Sequence, residues 1–206
     1  MDKALLITAS GDGTRMRDYF GIPKHLLYHN GRRIVDWISE RGLYAGFEMH
    51  LALQVDDGIE HPNIKKIICG RTESRMETLQ VCLPHLQDYK TVLVHDCDVL
   101  HSANMLEMMD EDAISVSIYP KDEKKYGFVD IDAKFSYLNA NEKQKEAPLI
   151  TTGLYSFGRR RMELFFQHCR IPTETMLDYY NLHHPELIFA KDFINLGDIQ
   201  SYMNNL

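Results

Sequence analysis

The sequence predicts an α/β fold, a single Rossmann-like domain whose mostly parallel sheet carries helices on both faces. Short aliphatic runs alternate with segments whose apolar residues recur at helical spacing, the signature of strand–helix units. The chain has 206 residues, the size of one such domain. Two polar loops, Ser10–Pro23 and His95–His101, follow strands, where open α/β sheets bind ligands.

The elements follow in order. Lys3–Ala9 is an aliphatic strand, and Ser10–Pro23 a polar, glycine-rich loop. Ile34, Val35, Trp37, Ile38 and Leu43 fall at helical spacing, which places a helix over Arg33–Tyr44 that ends near Gly46. Glu48–Val55 alternates as a strand, and Ile64–Cys69 is a shorter one broken by Gly70. Met76, Leu79, Cys82 and Leu83 mark a helix over Glu73–Leu83, stopped by Pro84. Thr91–His95 is a buried strand, Ala103–Met109 a helix and Ile114–Tyr119 a fifth strand. Beyond Pro120 the texture changes. Tyr126–Ile131 and Lys134–Leu138 read as a hairpin, Leu149–Phe157 as a longer strand, and Arg160–His168 and Glu174–Tyr180 as short helices. No low-complexity linker or internal repeat divides the chain, so 1–206 is read as one domain with an irregular second half.

Composition narrows the function. With 44% hydrophobic and 26% charged residues the chain is neither disordered, collagen-like nor a disulfide scaffold. No apolar run approaches the ~20 residues of a membrane span. The N-terminal run lacks a small-residue cleavage site and reads as the first strand, not a signal peptide. A net charge of −7 argues against a nucleic-acid partner, although a few concentrated cations can still bind a phosphorylated ligand. Cys69, Cys82, Cys97 and Cys169 form no CxxC or zinc spacing, so they read as reduced thiols of a cytoplasmic protein. The ten histidines include one adjacent pair, His183-His184, and no HExxH, so no histidine metal site is expected.

The most informative segment is Ser10-Gly11-Asp12-Gly13-Thr14-Arg15-Met16. Its glycines let the backbone turn sharply and aim N–H groups at an anion, and Arg15 adds a fixed positive fork. Met16 breaks a GxGxxG pattern, and the Gly-Lys-Ser/Thr ending of a Walker A loop is absent. Alone, the segment is equally a plain strand-to-helix turn; Pro23-Lys24, followed by Leu26-Leu27 and Gly31, adds weight to the anion reading.

Ala9 to Met16 followed by Pro23-Lys24 resembles the signature of the GT-A-like nucleotidyltransferases, which join a nucleoside triphosphate to a phosphorylated small molecule. The resemblance implies that Ala9, Ser10, Gly11, Asp12, Gly13 and Thr14 surround the triphosphate, and that Arg15 and Lys24 are catalytic cations on its phosphates. On this reading residues 1–120 bind the nucleotide, and 121–206 bind the acceptor and close the site. Val92-Leu93-Val94-His95-Asp96 resembles the strand ending in Val-His-Asp of the methylerythritol-phosphate and ribitol-phosphate cytidylyltransferases. Gly70, Arg75 and Thr78 are similar to their Gly…Arg-x-x-Ser stretch, which implies base reading and CTP as donor, although the step from Gly70 to Arg75 is longer here. The plain alternative is a helix start with Thr72 as cap and Glu73 in the first turn.

Asp96 and Asp98 follow a buried strand, and one or two carboxylates with substrate phosphates are what Mg²⁺ prefers. The Val-His-Asp pattern favours Asp96, whereas sugar nucleotidyltransferases and Asp-x-Asp enzymes favour Asp98; a solvated turn with Asp98 capping the next helix is the alternative. Phe193 to Tyr202 resembles the closing Ile-Asp-Ile-Gly-Thr-Pro-Glu-Asp-Tyr of sugar nucleotidyltransferases, with Asn195 where their aspartate completes the metal site. Asp198 either compensates or caps the last helix. Lys125-Tyr126-Gly127 resembles the hairpin that covers the substrate, and Thr152-Gly153 the strand that approaches the acceptor. An alternating core strand would give the same pattern.

The resemblance implies in-line attack of an acceptor phosphate on the α-phosphorus, with no covalent nucleophile. It implies an activated precursor for a bacterial surface polymer or lipid, and a homodimer, since family members often dimerise. Two other readings stand beside it: a GT-A glycosyltransferase, from Asp96-Cys97-Asp98, and a nucleotide-binding homologue that has lost catalysis, from Asn195.

Overall fold

The computed structural model describes residues 2–11, 14–118, 127–133, 136–142, 148–168 and 176–205. The strands are β1 (Lys3–Ala9), β2 (Tyr28–His29), β3 (Arg32–Arg33), β4 (Glu48–Leu53), β5 (Ile64–Ile68), β6 (Thr91–Asp96), β7 (Val99–Leu100), β8 (Ala113–Ile118), β9 (Gly127–Ile131), β10 (Tyr137–Glu142), β11 (Leu149–Gly158), β12 (Glu186–Phe189) and β13 (Ile194–Asn195). The α-helices are α1 (Thr14–Phe20), α2 (Ile34–Tyr44), α3 (Arg75–Cys82), α4 (Ala103–Met108), α5 (Arg159–His168), α6 (Met176–His183) and α7 (Ile199–Asn204).

The main sheet runs β10-β9-β11-β6-β1-β4-β5, with β8 also on β11 and β12 on β8. Strands β6, β1, β4 and β5 are parallel, as the strand–helix alternation predicts. β1 lies at their centre and is buried on both faces. Ala4 and Leu6 join one core cluster with Met76, Leu79 and Cys82, whereas Leu5 and Ile7 join the other with Ile34, Val35 and Ile38. Side chains alternate across a strand, so each face receives every second residue, and α3 and α2 cover opposite sides. Gly42 lets α2 come close to β4: a Cβ there would lie 2.5 Å from Met49 Sδ.

The irregular second half is mainly antiparallel. β11 pairs antiparallel with β6, β8 and β9, and its register against β8 shifts between Thr151 and Tyr155. Gly153, at φ +79°, sits inside that shift. A left-handed residue in a strand turns the chain locally, which glycine allows without steric cost.

Several elements depart from the sequence expectation. The Ser10–Pro23 loop contains α1, a helix anchored in the core by fully buried Met16. β12 was not expected; Leu187-Ile188-Phe189 is a short apolar run that pairs parallel with β8. The cap of α3 is Ser74, whose hydroxyl accepts from Glu77 N, and not Thr72. Asp98 does not cap α4, because Ser102 does so through Met105 N; Asp198 does cap α7. The second hairpin strand begins at Tyr137 and runs to Glu142, later than the expected Lys134–Leu138. Lys134, Glu174, Lys125 and Tyr126 lie outside the described residues.

Candidate active site

At the carboxyl ends of β1, β4 and β6 a cleft of about 570 Å³ opens. Its wall includes Thr8 to Gly11 at the end of β1, Pro23-Lys24-His25, Thr72 to Met76 with Thr78 around the start of α3, and Asp96-Cys97-Asp98 at the end of β6. Parallel packing of β6 against β1 places Thr8 beside Asp96, so both motif-bearing loops leave the sheet at one edge.

Pro23 is extended (φ −60°, ψ 148°), and a single 3-10 turn, Lys24–Leu26, follows it. That turn aims Lys24 across the cleft. Its Nζ donates to Asp98 Oδ2 at 2.6 Å and to the Gly197 carbonyl at 3.0 Å. β13 pairs with β7 and brings the closing segment to the same corner, with Leu196 N donating to Asp98 O at 2.7 Å. Asn195 Oδ1 accepts from Gly197 N at 2.8 Å. A Cβ on Gly197 would lie 2.9 Å from Asp98 Oδ2 and 3.0 Å from Asn195 Oδ1, so the two oxygens converge and only glycine fits between them. One carboxylate and one amide oxygen, both hard donors, fit a small dication that takes its remaining ligands from water and phosphate.

Asp96 is engaged differently. Arg75 grips it as a fork, Nε to Oδ1 at 2.7 Å and Nη2 to Oδ2 at 2.9 Å, and the guanidinium lies 5.0 Å from the centre of the Tyr155 ring. Burial pushes the Asp96 carboxyl upward in pKa, and the Arg75 charge opposes that push. Arg75 therefore neutralises a cleft carboxylate, a role its place in the base-reading pattern did not suggest. Gly153 packs against the same group: a Cβ there would come within 2.8 Å of Asp96 Oδ2.

The hydroxyls of Ser10, Thr72 and Thr78 form a buried triangle with 2.7 Å sides, which fastens the root of the first loop to α3. Ala9, Ser10, Gly11, Arg75 and Thr78 thus share one wall, whereas Gly70 is not part of it; at φ +72° it serves the turn after β5. Asp12 and Gly13 lie outside the described residues, and of Thr14 and Arg15 only the backbone is described. Gly127 opens β9, close to Thr151 and Leu177 and away from the cleft wall. Thr152, expected at the acceptor, is buried, bonds to His101 and Ser115, and does not line this cleft.

What holds Thr152 also explains the histidine of Val-His-Asp. The carbonyl of Asp96 can only accept, so His95 Nδ1, 2.7 Å away, carries a proton. His95 Nε2 then accepts from His101 Nδ1 at 3.3 Å, and His101 Nε2 accepts from the Thr152 hydroxyl at 3.0 Å, which in turn meets Ser115. Burial lowers the His95 pKa to about 4 and that of His101 well below the usual value, so both rings are neutral. His95 is a positioning residue: it braces the backbone between the two aspartates. Arg17, His25 and Asp57 also line the cleft and were missed. Arg17 lies two residues after Arg15, but a charged residue in a short helix carries no outward sign of where it faces.

No family model matches the chain. A nucleoside-diphosphate-sugar pyrophosphorylase from Vibrio cholerae RC9 superposes with a TM-score of 0.76 at 19% identity, covering 98% of this chain and 99% of that one. The UTP-bound UGPase from Acinetobacter baumannii gives 0.80 at 14% identity, over 100% and 92%. A UDP-glucose pyrophosphorylase complexed with UDP-glucose gives 0.81 at 14% identity, over 100% and 97%. The fold is that of the GT-A-like nucleotidyltransferases. In sequence, the chain is 25% identical over 177 residues to the bifunctional protein GlmU of Cellvibrio japonicus (strain Ueda107). The match covers 77% of this chain and 39% of that protein's length. Among the described residues, no helix of this nucleotidyltransferase fold is long and apolar enough to cross a membrane.

Proposed function

We propose that the chain transfers a nucleotidyl group from a pyrimidine nucleoside triphosphate to a phosphorylated small molecule, releasing pyrophosphate. The observation that supports this most is the meeting of Lys24, Asp98 and Asn195 around Gly197, with Lys24 and Asp98 lining the same cleft as Ser10 and Gly11. CTP is the donor implied by the Val-His-Asp strand, and UTP is the one bound by the A. baumannii neighbour; the two share the pyrimidine ring. Sugar phosphates are the acceptor class to which the neighbours' names point.

In this reading Arg15 and Lys24 bind the triphosphate, Lys24 exchanging part of its contact with Asp98 for phosphate oxygens. Asp98 and Asn195 would hold Mg²⁺, which when bound supplies neutralisation of the phosphate charge. The acceptor phosphate is already anionic, so its oxygen attacks the α-phosphorus without a strong general base, and pyrophosphate leaves in line. The protein's contribution is orientation and preorganised positive charge. The Arg75–Asp96 pair and Gly153 keep the second carboxylate fixed and occupied, which disfavours the Asp-x-Asp glycosyltransferase reading.

The test is pyrophosphate formation from each nucleoside triphosphate with Mg²⁺ and a panel of sugar and polyol phosphates, alongside the reverse reaction from UDP- and CDP-linked sugars. Acceptor-dependent pyrophosphate with CTP or UTP, lost in Lys24→Ala, is expected. Turnover of nucleotide-sugars by glycosyl transfer with no pyrophosphate chemistry in either direction would overturn the proposal.

A further inference from the structure

We propose that His25, Asp57 and His61 form a binding site for a zinc-class divalent ion on the cleft wall, separate from the Asp98–Asn195 oxygens. The proposal stands on the side chains alone and does not depend on the nucleotidyl-transfer reading. Both imidazoles turn Nε2 onto the same oxygen: His25 Nε2 is 3.2 Å and His61 Nε2 2.7 Å from Asp57 Oδ2. The three ligand atoms all lie within 4.8 Å of one another. In a tetrahedral site with metal–ligand bonds of 2.0–2.2 Å, neighbouring ligand atoms are ~3.3 Å apart, so the pocket needs only a small opening between His61 and Asp57 to admit the ion.

The surroundings orient the set. Asp57 Oδ1 takes Lys66 Nζ at 2.7 Å and Ile59 N at 3.2 Å, which fixes the carboxylate and leaves Oδ2 to the histidines. Lys66 is shared with Asp56 at 2.7 Å, so two carboxylates face one ammonium and the local charge favours a cation. The side chains of His25, His61 and Asp57 are 3%, 0% and 7% exposed. Burying a histidine that deeply is costly, and His61 Nδ1 has no partner, so the polar function of the ring is concentrated in the Nε2 that faces the cluster. Burial lowers the His25 pKa, which keeps a lone pair available. On binding, each ring offers its Nε2 lone pair, and the proton it held there moves to Nδ1 or to solvent.

The donor set selects the ion. Two imidazoles and one carboxylate suit zinc-class metals, whereas Mg²⁺ prefers oxygen. His25 and Asp57 line the cleft, so water or a ligand oxygen can complete the coordination. The sequence carries no such motif because the three residues come from two separate loops, the Lys24–Leu26 turn and the 54–63 connection. An ion there would tie the turn bearing Lys24 to that connection.

Titration of Co²⁺ into the chelator-treated full chain, followed by its visible absorption, tests the site. One equivalent with the intense spectrum of tetrahedral Co²⁺ is expected, displaced by Zn²⁺, abolished in His61→Gln and retained in Asp98→Asn. Far-UV circular dichroism checks that His61→Gln folds, and His25→Gln replaces it if it does not. No binding, a weak octahedral spectrum, or binding unchanged in the histidine variants would overturn the proposal.

Discussion

Lys24 and Gly153 show how much of this site rests on single atoms. Lys24 is the one ammonium that meets Asp98 among the described residues, and it reaches the closing segment at Gly197 as well. Removing a preorganised charge from a phosphoryl-transfer site costs about 10²–10³-fold in turnover. Lys24→Ala is expected to lose that much kcat while its circular dichroism stays that of the wild type; turnover unchanged within a factor of two would remove Lys24 from the mechanism. Gly153 combines a left-handed backbone with direct packing on Asp96. Gly153→Ala is expected to lower stability by about 1–3 kcal/mol in urea denaturation, from backbone strain, and to lower activity by displacing the Asp96 carboxylate. The two aspartates separate by the same logic. Asp98→Asn should abolish activation by Mg²⁺ with little change in melting, whereas Asp96→Asn, which leaves Arg75 with half its fork, should lower the melting temperature first.

At the scale of elements, β6 and β11 are joined beneath the site by the His95–His101–Thr152 chain, and that chain is expected to make the fold acid-sensitive. A histidine of pKa about 4 in the folded state and 6.5 unfolded takes up its proton first in the unfolded chain. Its contribution is complete above pH 6.5 and is lost as the pH falls toward 4, on the order of 2 kcal/mol for His95 by pH 5. Melting temperatures measured between pH 7 and 5 should fall accordingly. In His101→Phe, which keeps a ring against Phe193, the fall should be shallower and the neutral-pH stability lower, because His95 Nε2 loses its donor. An acid slope identical to that of the wild type would show that these rings do not control it.

The same elements show what was legible beforehand. β1, α2, β4, β5 and β6 were readable because their apolar residues repeat at the strand or helix period and are buried accordingly. α1 was hidden because, among the described side chains of Thr14–Phe20, Met16 alone is fully buried, which leaves no period to detect. β12 is four residues long and acquires its character only by pairing with β8. The places of Gly11, Lys24 and Asp98 on the cleft wall were legible from local motifs. The Arg75–Asp96 fork, the inward face of Thr152 and the His25–Asp57–His61 cluster join residues distant in sequence, and their meeting depends on register and crossover that composition does not encode.

At the scale of the molecule, the parallel half presents its strand ends to a cleft, and the antiparallel half supplies β11 beneath it and the β13 segment that closes one corner. The fold is shared with sugar-nucleotide pyrophosphorylases at identities of 14–19%, so the cleft's own chemistry has to carry the functional claim. That claim is that the cleft takes a pyrimidine nucleoside triphosphate with Lys24 on its phosphates. Calorimetric titration of CTP and UTP, each with Mg²⁺, into the wild type and Lys24→Ala tests it most directly. One site per chain, weakened at least about tenfold, or about 1.4 kcal/mol, in the variant is the predicted result. Failure of both nucleotides to bind, or equal affinity in the two proteins, would contradict it.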